Sequence, residues 1–186
     1  MNEAEHIPKA ELYTRYPLPN IIIYNGVTIF HYSLGSIGII LGYHFTGLGI
    51  LLGIIYLVFA FTQMYVIMPL TVCPNCIYYK LKNSVCTSGL NLVSRKIAKE
   101  GDLKNFPKRA GGFSHNKLYM ASLFIPIVAI IPALIIDFSI LLLGVFIMVV
   151  GLLLFRMLVV FRKTACVHCR AKIMCPNAKA MGLDKS

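Results

Sequence analysis

The chain has 186 residues, 58% of them hydrophobic and only 13% charged, with a formal net charge of +11 at pH 7. Soluble domains run to roughly 45–50% apolar and about 25% charged residues, so a water-soluble globule is excluded and a bilayer must hold part of the chain. A positive balance of this size suggests nucleic acid in a soluble protein, but here the basic residues flank apolar runs, so the positive-inside bias accounts for them and no nucleic-acid partner is expected.

Residues 1–20 are polar, contain Pro8, Pro17 and Pro19, and are expected to form a short lead-in with no core of its own. The start, Met1-Asn2-Glu3-Ala4-Glu5-His6, lacks the basic region and cleavage site of a signal peptide, so the first span is expected to stay in the mature protein. Residues 21–70 are apolar except around Gly42-Tyr43-His44-Phe45-Thr46-Gly47. At about 20 residues per span this predicts a hairpin of two transmembrane helices, near 21–43 and 47–70. Gly38 with Gly42, and Gly49 with Gly53, are small-x-x-x-small pairs that allow close helix approach in lipid. Glycine is also simply common in membrane helices.

Residues 71–117 change character. They hold Cys73, Cys76 and Cys86 and nine basic residues, opposed only by Glu100 and Asp102. Within them Leu90, Val93 and Ile97 recur at helical spacing, with Arg95, Lys96 and Lys99 on other faces. That pattern predicts an amphipathic helix on the membrane surface, in contact with anionic headgroups. Residues 118–161 form a second apolar run, broken at Asp137-Phe138-Ser139, and predict spans near 118–136 and 140–161. Pro126 and Pro132 should kink the first of these. Arg156 is expected to snorkel towards the basic side. Residues 162–186 are a polar, basic tail with Cys166, Cys169 and Cys175.

The expected fold is therefore an all-α integral membrane protein. It has four transmembrane helices in two hairpins, each followed by a cysteine cluster. No Lys or Arg lies in either interhelical turn, and this asymmetry predicts an inner or plasma membrane with both termini, the central loop and all six cysteines cytoplasmic.

The clusters carry the chemistry. Cys73-Pro74-Asn75-Cys76 and Cys166-Val167-His168-Cys169 are Cys-x-x-Cys turns, each of which can aim two sulfurs at one metal ion. Adjacent spans would bring both turns out on one face, so Cys73, Cys76, Cys166 and Cys169 are the expected ligands of a shared tetrathiolate site, with zinc the first choice of ion. Two separate sites are the alternative, each completed by its third cysteine, Cys86 or Cys175, and by His115 or His168. Iron, mononuclear or as an iron–sulfur cluster, is the second choice of cofactor, although the spacings match neither common ferredoxin pattern. Stable disulfides conflict with a reducing cytosol. Haem is not expected, because His31 and His44 lack matching histidines in another span and no Cys-x-x-Cys pair is followed by histidine. His31 is expected to hydrogen-bond to a neighbouring helix, with Asn25, Thr28 and Gln63 as candidate partners.

The chain carries no phosphate loop, nucleophile elbow or paired-carboxylate site, and no catalytic residue is assigned. The expected function is a structural subunit or assembly factor of a larger membrane complex, or of a homo-oligomer. The alternatives are an iron–sulfur or rubredoxin-like electron carrier linked to quinone and a membrane thiol–disulfide oxidoreductase.

Overall fold

The computed structural model describes residues 11–44, 46–110 and 115–183, apart from the side chains of residues 109, 115 and 116. Regular structure among them is helical. Helix α1 is Leu18–Gly42, with Pro19 in its first turn, where a missing N–H leaves no bond unmade. Helix α2 begins at Gly47, capped by the Thr46 hydroxyl, which accepts from the Gly49 N–H. Beyond Thr62 it widens into an i→i+5 stretch, Gln63–Ile67, and then tightens again over Met68–Thr71. Helix α3 is Leu90–Ile97. Helix α4, His115–Ile136, runs through both Pro126 and Pro132. Helix α5, Ile140–Phe155, continues as a wide i→i+5 helix over Arg156–Ala165.

Three of these paths are long and apolar enough to cross a membrane: Gly47–Asn75, Lys117–Ile136 and Ile140–Ala165. Only 28%, 33% and 22% of their apolar stretches are buried within the protein, so most of each surface faces outward. Ile135, Ile136 and Ile140 are among the outward-facing side chains. In water that exposure would be strongly unfavourable; in acyl chains it is not. Helix α1 has 25 residues, enough length to cross, but Asn25, Thr28, His31, Ser33 and Ser36 dilute its apolar character.

The polarity of α1 has a packing reason. The helix touches α2, α4 and α5, and it turns Thr28, His31, Tyr32 and Ser36 into the bundle while Ile22, Phe30 and Ile37 face out. Its polar groups find partners across the helix boundaries. His31 Nε2 donates to Leu123 O at 3.1 Å, so the expected interhelical bond is present but with a backbone carbonyl as partner. Tyr32 and Ser122 hydroxyls lie 3.0 Å apart, and Tyr56 donates to Ser122 O at 2.9 Å. Such bonds orient helices where lipid supplies no hydrophobic drive. Small residues set the spacing: a Cβ at Gly38 would lie 2.5 Å from Ile130, and one at Gly53 would lie 2.5 Å from Ile40 and 3.1 Å from Ser36 O. Both glycine pairs therefore sit at helix contacts.

Three expectations are corrected. Arg156 does not snorkel; it is 1% exposed and lies among the rings of Tyr24, Tyr119 and Phe161, because the helix turns it towards the interior and not along the bilayer normal. The lead-in is not free of core. Tyr16 is buried, and residues 13 and 15 form single parallel bridges with Cys169 and Val85. Leu90 does not share the outward face of α3; it is buried, and Leu92, Val93 and Ile97 are the exposed apolar residues.

Candidate functional site

The six cysteines lie beyond one end of the bundle, in segments that pack into a single head. The first segment leaves α2 through Cys73–Asn75, a single 3₁₀ turn in which Cys76 N–H donates to Cys73 O at 3.0 Å. The second leaves α5 in the same manner, with Cys169 N–H donating to Cys166 O at 3.2 Å. Each Cys-x-x-Cys is thus a closed turn, as the spacing predicts.

Helix α3 holds the first segment in shape. Asn91 Oδ1 accepts from Cys86 N–H at 3.0 Å, and its amide donates to Ser84 O at 2.9 Å and Tyr78 O at 3.2 Å. The Arg95 guanidinium donates to Tyr79 O at 3.0 Å and to Tyr78 O at 2.7 Å. Ser94 Oγ donates to Pro69 O at 2.6 Å, which fixes α3 level with the end of the α2 span. The face of α3 that meets the protein is therefore the polar one.

The lead-in joins the two segments. Tyr13 N–H donates to His168 O at 3.0 Å, and Tyr16 N–H donates to Val85 O at 3.0 Å. The Tyr13 ring stacks on the His168 imidazole, with centroids 4.4 Å apart. Tyr16 Oη donates to Ala165 O. Tyr78, two residues after Cys76, closes the arrangement: its hydroxyl donates to Tyr13 O at 2.7 Å and accepts from Arg170 N–H at 3.2 Å.

The electrostatics show which thiols are neighbours. Burial pushes the thiols of Cys76 and Cys166 well up, and that of Cys169 up to about 12. The backbone N–H groups of Tyr78 and Ala171 oppose the rise at Cys76 and Cys169. Further upward pressure at Cys76 comes from Cys169, Cys86 and Cys175, and at Cys166 from Cys169 and Cys175. Thiols from the two halves of the chain thus lie within electrostatic reach of one another. All six are free and half-buried.

That proximity falls short of a coordination shell: among the described residues no three His, Cys, Asp or Glu side chains are arranged to hold a metal ion. His168 is turned to the lead-in, its Nδ1 2.8 Å from Glu11 O. The His115 side chain lies outside the described residues. Sequence spacing singles out the cysteines but not Tyr13, Tyr16 or Tyr78, whose partners are 65 to 155 positions away.

No family model, curated protein or solved structure matches this chain. The site must therefore be interpreted from its own chemistry.

Two chemical properties stand out. Thiols pushed up by burial are poor nucleophiles, since the thiolate is the reactive form. A cation placed among them would reverse that effect, because metal binding replaces the thiol proton. Lys80, Arg162, Lys163 and Arg170 flank the segments in sequence.

Proposed function

We propose that this chain is a non-catalytic structural subunit or assembly factor of a larger membrane complex or homo-oligomer, with a head that binds a metal ion. Zinc is the first candidate, with Cys73, Cys76, Cys166 and Cys169 as its ligands. The observation that carries the proposal is the convergence of both cysteine segments on the lead-in, with Cys76 and Cys86 in electrostatic reach of Cys169. A zinc ion would need the four sulfurs drawn to roughly 2.3 Å from it.

In this reading α1 is a fourth span, supported by its length and its position between the other three helices. The head lies on the cytoplasmic side, supported by the basic residues around it and their absence from both turns. Contact with anionic lipid is supported by α3, which directs Leu92, Val93 and Ile97 away from the protein at the level where the α2 span ends.

Metal stoichiometry in single variants tests the proposal. About one ion per chain, lost equally on Cys73→Ser and Cys166→Ser, is the expected outcome for a four-cysteine site. Two ions, half retained in each variant, would replace the shared site with two separate ones. A metal-free protein purified without chelator would remove the metal reading altogether.

A further inference from the structure

Arg156 is the largest fully buried side chain among the described residues. Its guanidinium carbon lies 5.2 Å from the Tyr24 ring centroid and 5.4 Å from those of Tyr119 and Phe161. The Tyr24 hydroxyl engages both the Tyr119 hydroxyl and the Arg156 guanidinium, and none of the three guanidinium nitrogens has a well-formed hydrogen bond among the described residues. The Tyr24 hydroxyl stands close enough to interact, but one hydroxyl cannot serve five N–H donors.

The described carboxylates do not supply a counter-charge. Glu100 pairs with Lys80 and Asp137 with His44, Asp102 accepts from Lys104 N–H, and Glu11 is exposed in the lead-in. Aromatic faces return only part of what a desolvated guanidinium loses. An intramembrane ionisable side chain is by default a candidate functional site.

The local backbone is consistent with a site. Arg156 opens the i→i+5 stretch of α5, and Gln63 opens the corresponding stretch of α2. Wide turns of this kind are commonly found at functional sites. The three rings lie at cation–π distance from the guanidinium carbon, an attraction that leaves its N–H groups short of hydrogen-bond acceptors.

We propose that Arg156 holds a small monovalent anion of halide size within the bundle, with the Tyr119 hydroxyl, turned away from Tyr24, as a second donor. One guanidinium balances one negative charge, and a halide accepts hydrogen bonds from any direction. A carboxylate or phosphate would bring more bulk or more charge into a closely packed interior.

The test is bromide counting on the full-length protein in detergent, exchanged into bromide buffer and read by X-ray fluorescence. The wild type should retain one bromide per chain, displaced by chloride and not by gluconate. Arg156→Met should retain none. Tyr119→Phe should bind about five- to tenfold more weakly, as expected for loss of one hydrogen bond. No bromide on the wild type above the detergent blank, or full retention in Arg156→Met, would overturn the proposal. Should Arg156→Met fail to fold, an unchanged bromide affinity in Tyr119→Phe would overturn it.

Discussion

Tyr78 does more for the head than its place in a four-residue helix, Ile77–Lys80, suggests. Its hydroxyl gives one bond to the lead-in and takes one from the second cysteine segment. Tyr78→Phe leaves Tyr13 O and Arg170 N–H without partners and is expected to weaken the head by about 1–3 kcal/mol. Faster maleimide labelling of Cys169 would report it, and an unchanged labelling rate would show that the hydroxyl does not hold the segments together. Cys169 also gives the head a pH dependence. Its folded value, about 12, stands above the ordinary thiol value of 9.0, so the folded state keeps the proton longer. In metal-free protein that contribution is whole below about pH 9 and is lost as pH rises towards 12. Bound metal reverses the sign, because protonation at low pH then competes with the ion. Melting the head across pH with and without chelator separates the two cases. The cysteine spacing made the candidate ligands legible, but nothing local to Tyr78 announces partners 65 and 92 positions away.

Helix α3 is inverted relative to a helix on a soluble core, with Asn91, Ser94 and Arg95 turned inward and Leu92, Val93 and Ile97 turned out. Periodicity reveals that such a helix has two faces but not which one meets the protein. The choice depends on unpaired carbonyls at Tyr78, Tyr79 and Pro69 that only the folded head brings within reach. A nitroxide at Val93 should therefore show lipid-like oxygen accessibility in vesicles, and a water-like value would place that face in solvent. Three of the expected spans were legible because a continuous apolar run and a turn are local signals. The direction of Arg156 was not, since an arginine near a span end has the same sequence signature whether it snorkels or points inward. The crossing of α1 and α2 offers a sharper test. Gly53→Val would drive a side chain into Ile40 and the Ser36 carbonyl. Overpacking of that kind costs about 1–3 kcal/mol, measurable as a lower melting temperature in detergent, whereas Gly144→Val meets nothing within 4 Å and should be neutral.

The molecule as a whole is tied unequally at its two ends. The head is sewn by backbone and side-chain bonds among three segments, whereas among the described residues the opposite turns meet through an exposed ion pair, His44 Nε2 to Asp137 Oδ2 at 3.1 Å. Exposed pairs contribute about 0–1 kcal/mol, so Asp137→Asn should leave the melting temperature almost unchanged while Tyr78→Phe lowers it. Reporter fusions at Thr46 and Asp137 should read the outer side and one at Lys99 the inner side; the reverse pattern would overturn the cytoplasmic assignment. The head also has a timetable. Its lead-in and first three cysteines are made early, and its other three come only after eighty further positions separate Cys86 from Cys166. At roughly 5–20 residues per second that interval is about 4–16 s. Throughout it, Cys73, Cys76 and Cys86 stand on the growing chain before Cys166, Cys169 and Cys175 exist to cover them. The nascent protein therefore passes through a period in which a metal donor or an oxidant can reach thiols that the finished head half conceals, and the order of synthesis decides which cysteines meet it first.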